Sequence, residues 1–193
     1  MNILYPKIRW ASLPAMLGYA GLGAVLAGLY GILHDEITYT ISPEYFTRLK
    51  FYQFDYADFG LPPRVLVAEI GFLATWWVGF FAAWFLARVT VPAFPPRLAF
   101  RYTVQGFVIV FLSALTAGIV GFALRAMPGV HYDDTAWADF AAALSISDLP
   151  SFVRVAYIHN AGYLGGLLGL VAAIGYVLRQ KRIGPPCHRP SEE

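Results

Sequence analysis

Four long apolar stretches, separated by polar and turn-rich segments, set the pattern of the chain. The first runs from Ala11 to Leu33 without a charge, and the second from Val65 to Ala87 with Glu69 as its only charge. The third, Thr103 to Leu124, carries none, and the fourth, Val155 to Leu178, contains His159. A membrane-spanning helix needs about 20 predominantly apolar residues, and each stretch meets that length. In hydrocarbon only a helix or a closed barrel satisfies its own backbone polar groups. The short segments and dyad alternation of barrel strands are absent, so the pattern predicts helices. The expected fold is all-α: a polytopic membrane protein with four transmembrane helices in an up-down bundle, spanning about 11–33, 65–87, 103–124 and 155–178. One domain then covers residues 1–183, and residues 184–193 form a polar tail.

The segments between the spans carry helix signals of their own. Ser42-Pro43-Glu44 combines a favoured N-cap, a proline suited to the first helical position and an acid suited to the positive helix end. It predicts a short helix from Pro43 to about Phe54 with Tyr45, Leu49 and Tyr52 on one face. Gly60, Pro62 and Pro63 end that loop. In the second long loop Pro128-Gly129 marks a turn, Asp133-Asp134-Thr135 a cap, and Ala136 to Leu144 a short helix. Ser147-Asp148-Leu149-Pro150 starts the helix that becomes the fourth span. The connection from Arg88 to Arg101, with Pro92, Pro95 and Pro96, is short and makes spans two and three antiparallel neighbours.

Small residues recur at four in the first span (Ala20, Ala24 and Gly28; Gly23, Ala27 and Gly31) and in the fourth (Ala161, Gly165, Gly169 and Ala173). Such stripes let backbones approach closely in lipid, which predicts contact between the first and fourth helices. The second span is aromatic instead, with Trp76 and Trp77 deep within it.

Composition agrees with the pattern. The chain has 193 residues, 58% of them hydrophobic and 13% charged, against about a quarter charged in soluble domains. That excludes disorder, a disulfide-stapled module and a nucleic-acid binder, since a net charge of +2 from so few charges forms no basic face. The lone Cys187, in the tail, allows no internal disulfide. Lys7 and Arg9 before an apolar run resemble a signal peptide, but the run is too long for one and reads as an uncleaved span.

Charge placement orients the chain. Lys7, Arg9, Arg88, Arg97, Arg101, Arg179, Lys181, Arg182 and Arg189 fall on one side, with only Glu192 and Glu193. The other side holds five basic residues and nine acidic ones. The positive-inside rule then predicts cytoplasmic termini, two exoplasmic loops and a bacterial-type inner membrane.

Ionisable residues inside spans are costly and point to function. Counting about 20 residues from each cytoplasmic boundary brings His34, Glu69, Arg125 and His159 to one depth near the exoplasmic edge. In one reading Glu69 pairs with Arg125 and the group holds the helices together. In the other, His34, Glu69 and His159 converge, with Glu44, Asp35 or Glu36 joining from the loop. Two imidazoles with a carboxylate suit a metal ion, His34 and His159 suit axial haem ligation, and His159 with Glu69 suits a quinone headgroup enclosed by the aromatics. No Glu-x-x-His pair supports a di-iron site.

The segment His34-Asp35-Glu36-Ile37-Thr38-Tyr39-Thr40-Ile41-Ser42-Pro43-Glu44-Tyr45-Phe46 resembles one in uncharacterised bacterial polytopic membrane proteins. The resemblance covers the first exoplasmic loop and implies no activity. The favoured function is a non-catalytic accessory or structural subunit of a membrane complex, in contact with the lipid bilayer and with a larger complex or further copies of itself. The alternative is a redox or metal protein binding a metal ion, haem or quinone through His34, Glu69 and His159. Transport of a small solute or ion ranks below both, because no span is broken by proline at its midplane.

Overall fold

The computed structural model describes residues 10–127 and 135–183, and every regular element among them is helical. Helix α1 is Leu13–Ile41, longer by two turns than the apolar run that predicts it. A continuous helical segment follows: α2 (Pro43–Tyr45), a π-helical turn (Phe46–Lys50) and α3 (Phe51–Gln53). Helix α4 is Pro63–Thr90, α5 is Pro96–Ala126, α6 is Ala138–Leu144 and α7 is Leu149–Ile183. Helices α1, α4, α5 and α7 are each long and apolar enough to cross a membrane. The chain is therefore an all-α integral membrane protein. The tail with Cys187, the cap Asp133-Asp134 and the first residues with Lys7 and Arg9 lie outside the described residues.

Proline and polar caps set the helix boundaries. Pro63 and Pro96 occupy first helical positions, where a missing N–H costs nothing. Helix α1 stops at Ser42, whose extended backbone (φ −144°, ψ 96°) is what a following proline favours. Its last two turns persist although polar, because their polar groups find partners. Thr38 is buried, and Glu36 accepts a 2.6 Å contact from Arg64 of α4. An apolar run reports contact with lipid, and a helix continues wherever its polar side chains are satisfied.

The bundle is two tight pairs, α1 with α4 and α5 with α7, and the pairs touch each other much less. This corrects the expected pairing of first and fourth helices, which meet sparsely. The small-residue stripes are used, but with other partners. Gly31 and Gly71 lie against each other's carbonyls, as do Gly23 and Gly79, while Gly165 and Gly169 seat on Ala117 and Ser113 of α5. Thr75 adds a hydroxyl that donates to the Ala27 carbonyl across the first pair at 2.8 Å.

The pairs are joined at their ends. Near the two long loops, Tyr45 and Phe46 of the connecting segment pack with Val67, Phe152, Val155 and Ala156. At the opposite end, which carries Arg88 and Arg97, Leu86 packs with Ala173 and Val177. There the hydroxyls of Thr90 and Thr103 share a buried 2.7 Å hydrogen bond. Between these two plugs the pairs stand apart and leave a partly open cavity of about 110 Å³ lined by all four spanning helices.

Candidate functional site

The polar group heads this cavity at its loop end. His159 of α7 and Asp35 of α1 are 5% and 3% exposed, and Nε2 of the first lies 3.1 Å from Oδ1 of the second. The other ring nitrogen, Nδ1, lies 2.9 Å from the carbonyl of Val155. A carbonyl only accepts, so Nδ1 carries a hydrogen, and Nε2 then faces a carboxylate oxygen across 3.1 Å. Two acceptor lone pairs at that distance repel unless a proton lies between them. The pair therefore holds one proton, on the imidazole or on the acid. The second carboxylate oxygen, Oδ2, is buried without a hydrogen-bond partner.

Aromatic rings build the rest of the wall. His34 meets His159 edge to face with centroids 4.7 Å apart, and Tyr45 stacks on His159 at 4.9 Å and 27°. The Tyr30 hydroxyl lies 3.4 Å from Nδ1 of His34. Phe107 and Phe111 of α5 and Tyr163 of α7 line the cavity further along. From His159 to Gly166 on α7 the lining extends roughly 10 Å at 1.5 Å rise per residue.

The π turn brings a further charge inward. One additional residue per turn rotates the following side chains, so Lys50 is buried while Tyr52 is 70% exposed. This departs from the single face expected for Tyr45, Leu49 and Tyr52. Burial pulls the Lys50 ammonium below its ordinary range, and the negative charge of Asp35 acts the other way. Its Nζ also sits over the Phe54 ring at 5.6 Å. Burial raises the Tyr45 phenol well above its ordinary value.

The structure thus brings together His34 and His159, as the depth argument anticipates, and supplies Asp35 as their carboxylate. Glu69 is elsewhere. It precedes Val78, which lines the cavity, by about two and a half helical turns, and so points to the opposite side of α4. Glu69 is half-buried on the same side of the helix as Trp76, and has no ion-pair partner among the described residues. Trp76 and Trp77, 40% and 49% exposed, face outward and do not enclose the cavity. Arg125 instead lies over the Tyr157 ring at 5.1 Å, while its carbonyl accepts from Nε of Arg154.

Glu44 is engaged away from the site. Its carboxylate accepts from the Ser147 hydroxyl at 2.6 Å, the Ser147 amide at 3.1 Å and the Asp148 amide at 2.8 Å. These bonds, the Ser147 hydroxyl first, hold its pKa below the usual carboxylate range. Glu44 clasps the connecting segment to the start of α7.

The sequence gives no weight to Lys50 or Tyr45, and Asp35 appears there only as a loop residue. Its place next to His34 is the signal, once α1 is known to continue. The π turn has no signature in the sequence.

The ligand atoms of His34, Asp35 and His159 all lie within 4.8 Å of one another, compatible in residue type with a metal ion. Charge argues against a divalent one. A divalent ion would displace the proton shared by His159 and Asp35, and with one carboxylate and the buried Lys50 ammonium it would leave about two uncompensated positive charges in a low-dielectric site. Haem fits less well still. Two imidazoles gripping one iron from opposite faces, with bonds of about 2 Å, keep their centroids roughly 6 Å apart. The 4.7 Å edge-to-face contact leaves no room for a porphyrin. A neutral, mostly apolar molecule with a hydrogen-bonding head suits the cavity on both counts. The fold and the site define a four-helix integral membrane protein with a buried His–Asp–His centre. No family model, no curated protein and no solved structure matches the chain.

Proposed function

We propose that this is a small accessory protein of a bacterial inner membrane that binds a quinol-type molecule, an aromatic ring carrying hydroxyl groups, without transforming it. The observation that carries the reading is Asp35, which lines the head of an apolar cavity and whose Oδ2 is a buried acceptor without a donor. A buried acceptor left unpaired costs about 1–3 kcal/mol, which a ligand hydroxyl would recover. The ring would lie among Tyr30, Phe107, Phe111 and Tyr163, all lining the same cavity. His34, at its edge, offers a ring nitrogen to a second oxygen.

The test uses the purified protein in nanodiscs and a methyl-substituted benzoquinol as probe. Saturable binding is expected, tighter for the quinol than for the quinone, which has no hydroxyl to donate. Asp35→Asn is expected to weaken the quinol by about tenfold or more, the value of a charge-assisted hydrogen bond, and to erase its preference over the quinone. Absence of saturable binding to the wild-type protein, or a preference that survives Asp35→Asn, would overturn the reading.

A further inference from the structure

A second space joins the first. A groove of about 310 Å³ runs between α1 and α5 on the loop-end half of the bundle, and Tyr30 and His34 line both it and the central cavity. Away from these two residues its walls are aliphatic or aromatic: Ile37 and Ile41 of α1, Leu115, Ile119 and Phe122 of α5, and Ile158 of α7. Its one further polar side chain, Thr38, is occupied, since the hydroxyl is bonded to the carbonyls of His34 and Asp35. Gly118 forms part of the floor, and a Cβ there would meet Ile158 at 3.7 Å, an ordinary contact. Ile37 is 63% and Ile119 59% exposed, so the mouth of the groove opens on the outer surface of the bundle. Along α1, Tyr30 to Ile41 spans roughly 16 Å.

We infer that this groove holds the isoprenoid tail of the molecule whose ring occupies the central cavity, and that such a lipid enters sideways from the bilayer between α1 and α5. The inference rests on the quinol reading of the central site. Three features point to a tail rather than to a separate ligand. The groove has no hydrogen-bonding group to spare along its length. It meets the polar site at its inner end only. Its outer end opens on an exposed apolar surface of the bundle. A polar ligand would desolvate its own groups there without compensation, whereas a branched apolar chain exchanges one apolar environment for a better-packed one. His34 stands at the junction, where ring and tail would join.

The experiment compares two probes on the protein in nanodiscs: a methyl-substituted benzoquinol and a decyl-tailed benzoquinol with a diazirine at the end of its tail. After correction for partition into the bilayer, the decyl probe is expected to bind at least tenfold more tightly. Its photolabel is expected on residues 115–122 and on Ile37, and excess methyl probe should displace it. Gly118→Leu, which fills the floor, is expected to reduce the decyl probe to the affinity of the methyl one and to leave the methyl probe unchanged. If the methyl probe binds saturably while labelling spreads equally over the outer face of α7 at Leu164, Leu167 and Val171, the groove holds ordinary lipid and the inference falls while the quinol reading stands. If neither probe binds saturably, the quinol reading falls and the inference with it.

Discussion

Asp35 is the residue on which the site turns. Its Oδ1 shares a proton with His159 at 3.1 Å, and its Oδ2 has no hydrogen-bond partner. Removing one partner of a buried charge pair costs about 3–5 kcal/mol, because the other is left uncompensated. Asp35→Leu is therefore expected to destabilise the protein by about that amount in detergent, read from its thermal unfolding. Adding His159→Leu, which removes the buried partner left behind, is expected to restore more than half of the loss. Equal instability of the single and the double variant would show that Asp35 and His159 are not energetically paired. The sequence places His34 and His159 at one depth, and the structure sets them 4.7 Å apart. Depth is a count along the axis and survives into the fold. Glu69 shares that depth but points away, because direction around the axis depends on which face of α4 packs.

At the scale of elements, glycine decides which helices pair. Gly31 and Gly71 approach so closely that a Cβ on either would strike the carbonyl oxygen of the other. A backbone atom cannot swing aside as a side chain can. Gly71→Ala is expected to force α1 and α4 apart at a cost of about 1–3 kcal/mol, despite the better helix propensity of alanine. Gly18→Ala and Gly21→Ala, which meet nothing within 4 Å, are expected to be neutral or slightly stabilising. Thermal unfolding of the three variants side by side checks this, and equal behaviour would remove the close approach as the reason for the pairing. The stripes themselves are legible in the sequence, but their partners are not. A row of small residues says that a backbone comes near and leaves open which backbone. The connecting segment shows the same division. Ser42-Pro43-Glu44 announces the helix, and the π turn that buries Lys50 begins where Tyr45 and Phe46 dock on Phe152 and Val67.

At the scale of the whole molecule, two tight helix pairs are plugged at both ends and stand apart between, which is why a cavity exists at all. The charge asymmetry predicts that the end bearing the long loops is exoplasmic. In a Cys187→Ser background, an impermeant maleimide added to intact cells is expected to label Tyr56→Cys, at the exposed loop end, and to spare Arg97→Cys until the cells are opened. The reverse pattern would invert the topology and move the groove to the cytoplasmic leaflet. The sequence by itself determined the solvent of this protein, the number of its spans, their approximate limits and the helices within its loops. Those properties sum along the chain, since each apolar residue contributes its transfer energy wherever the helix sits, and caps act on their neighbours. Only the tertiary structure decided that α1 pairs with α4, that Asp35 rather than Glu69 completes the site, and that a cavity and a groove meet at His34. Those outcomes depend on the angular phase of each helix and on the π turn, and both are settled by packing between segments distant in the chain.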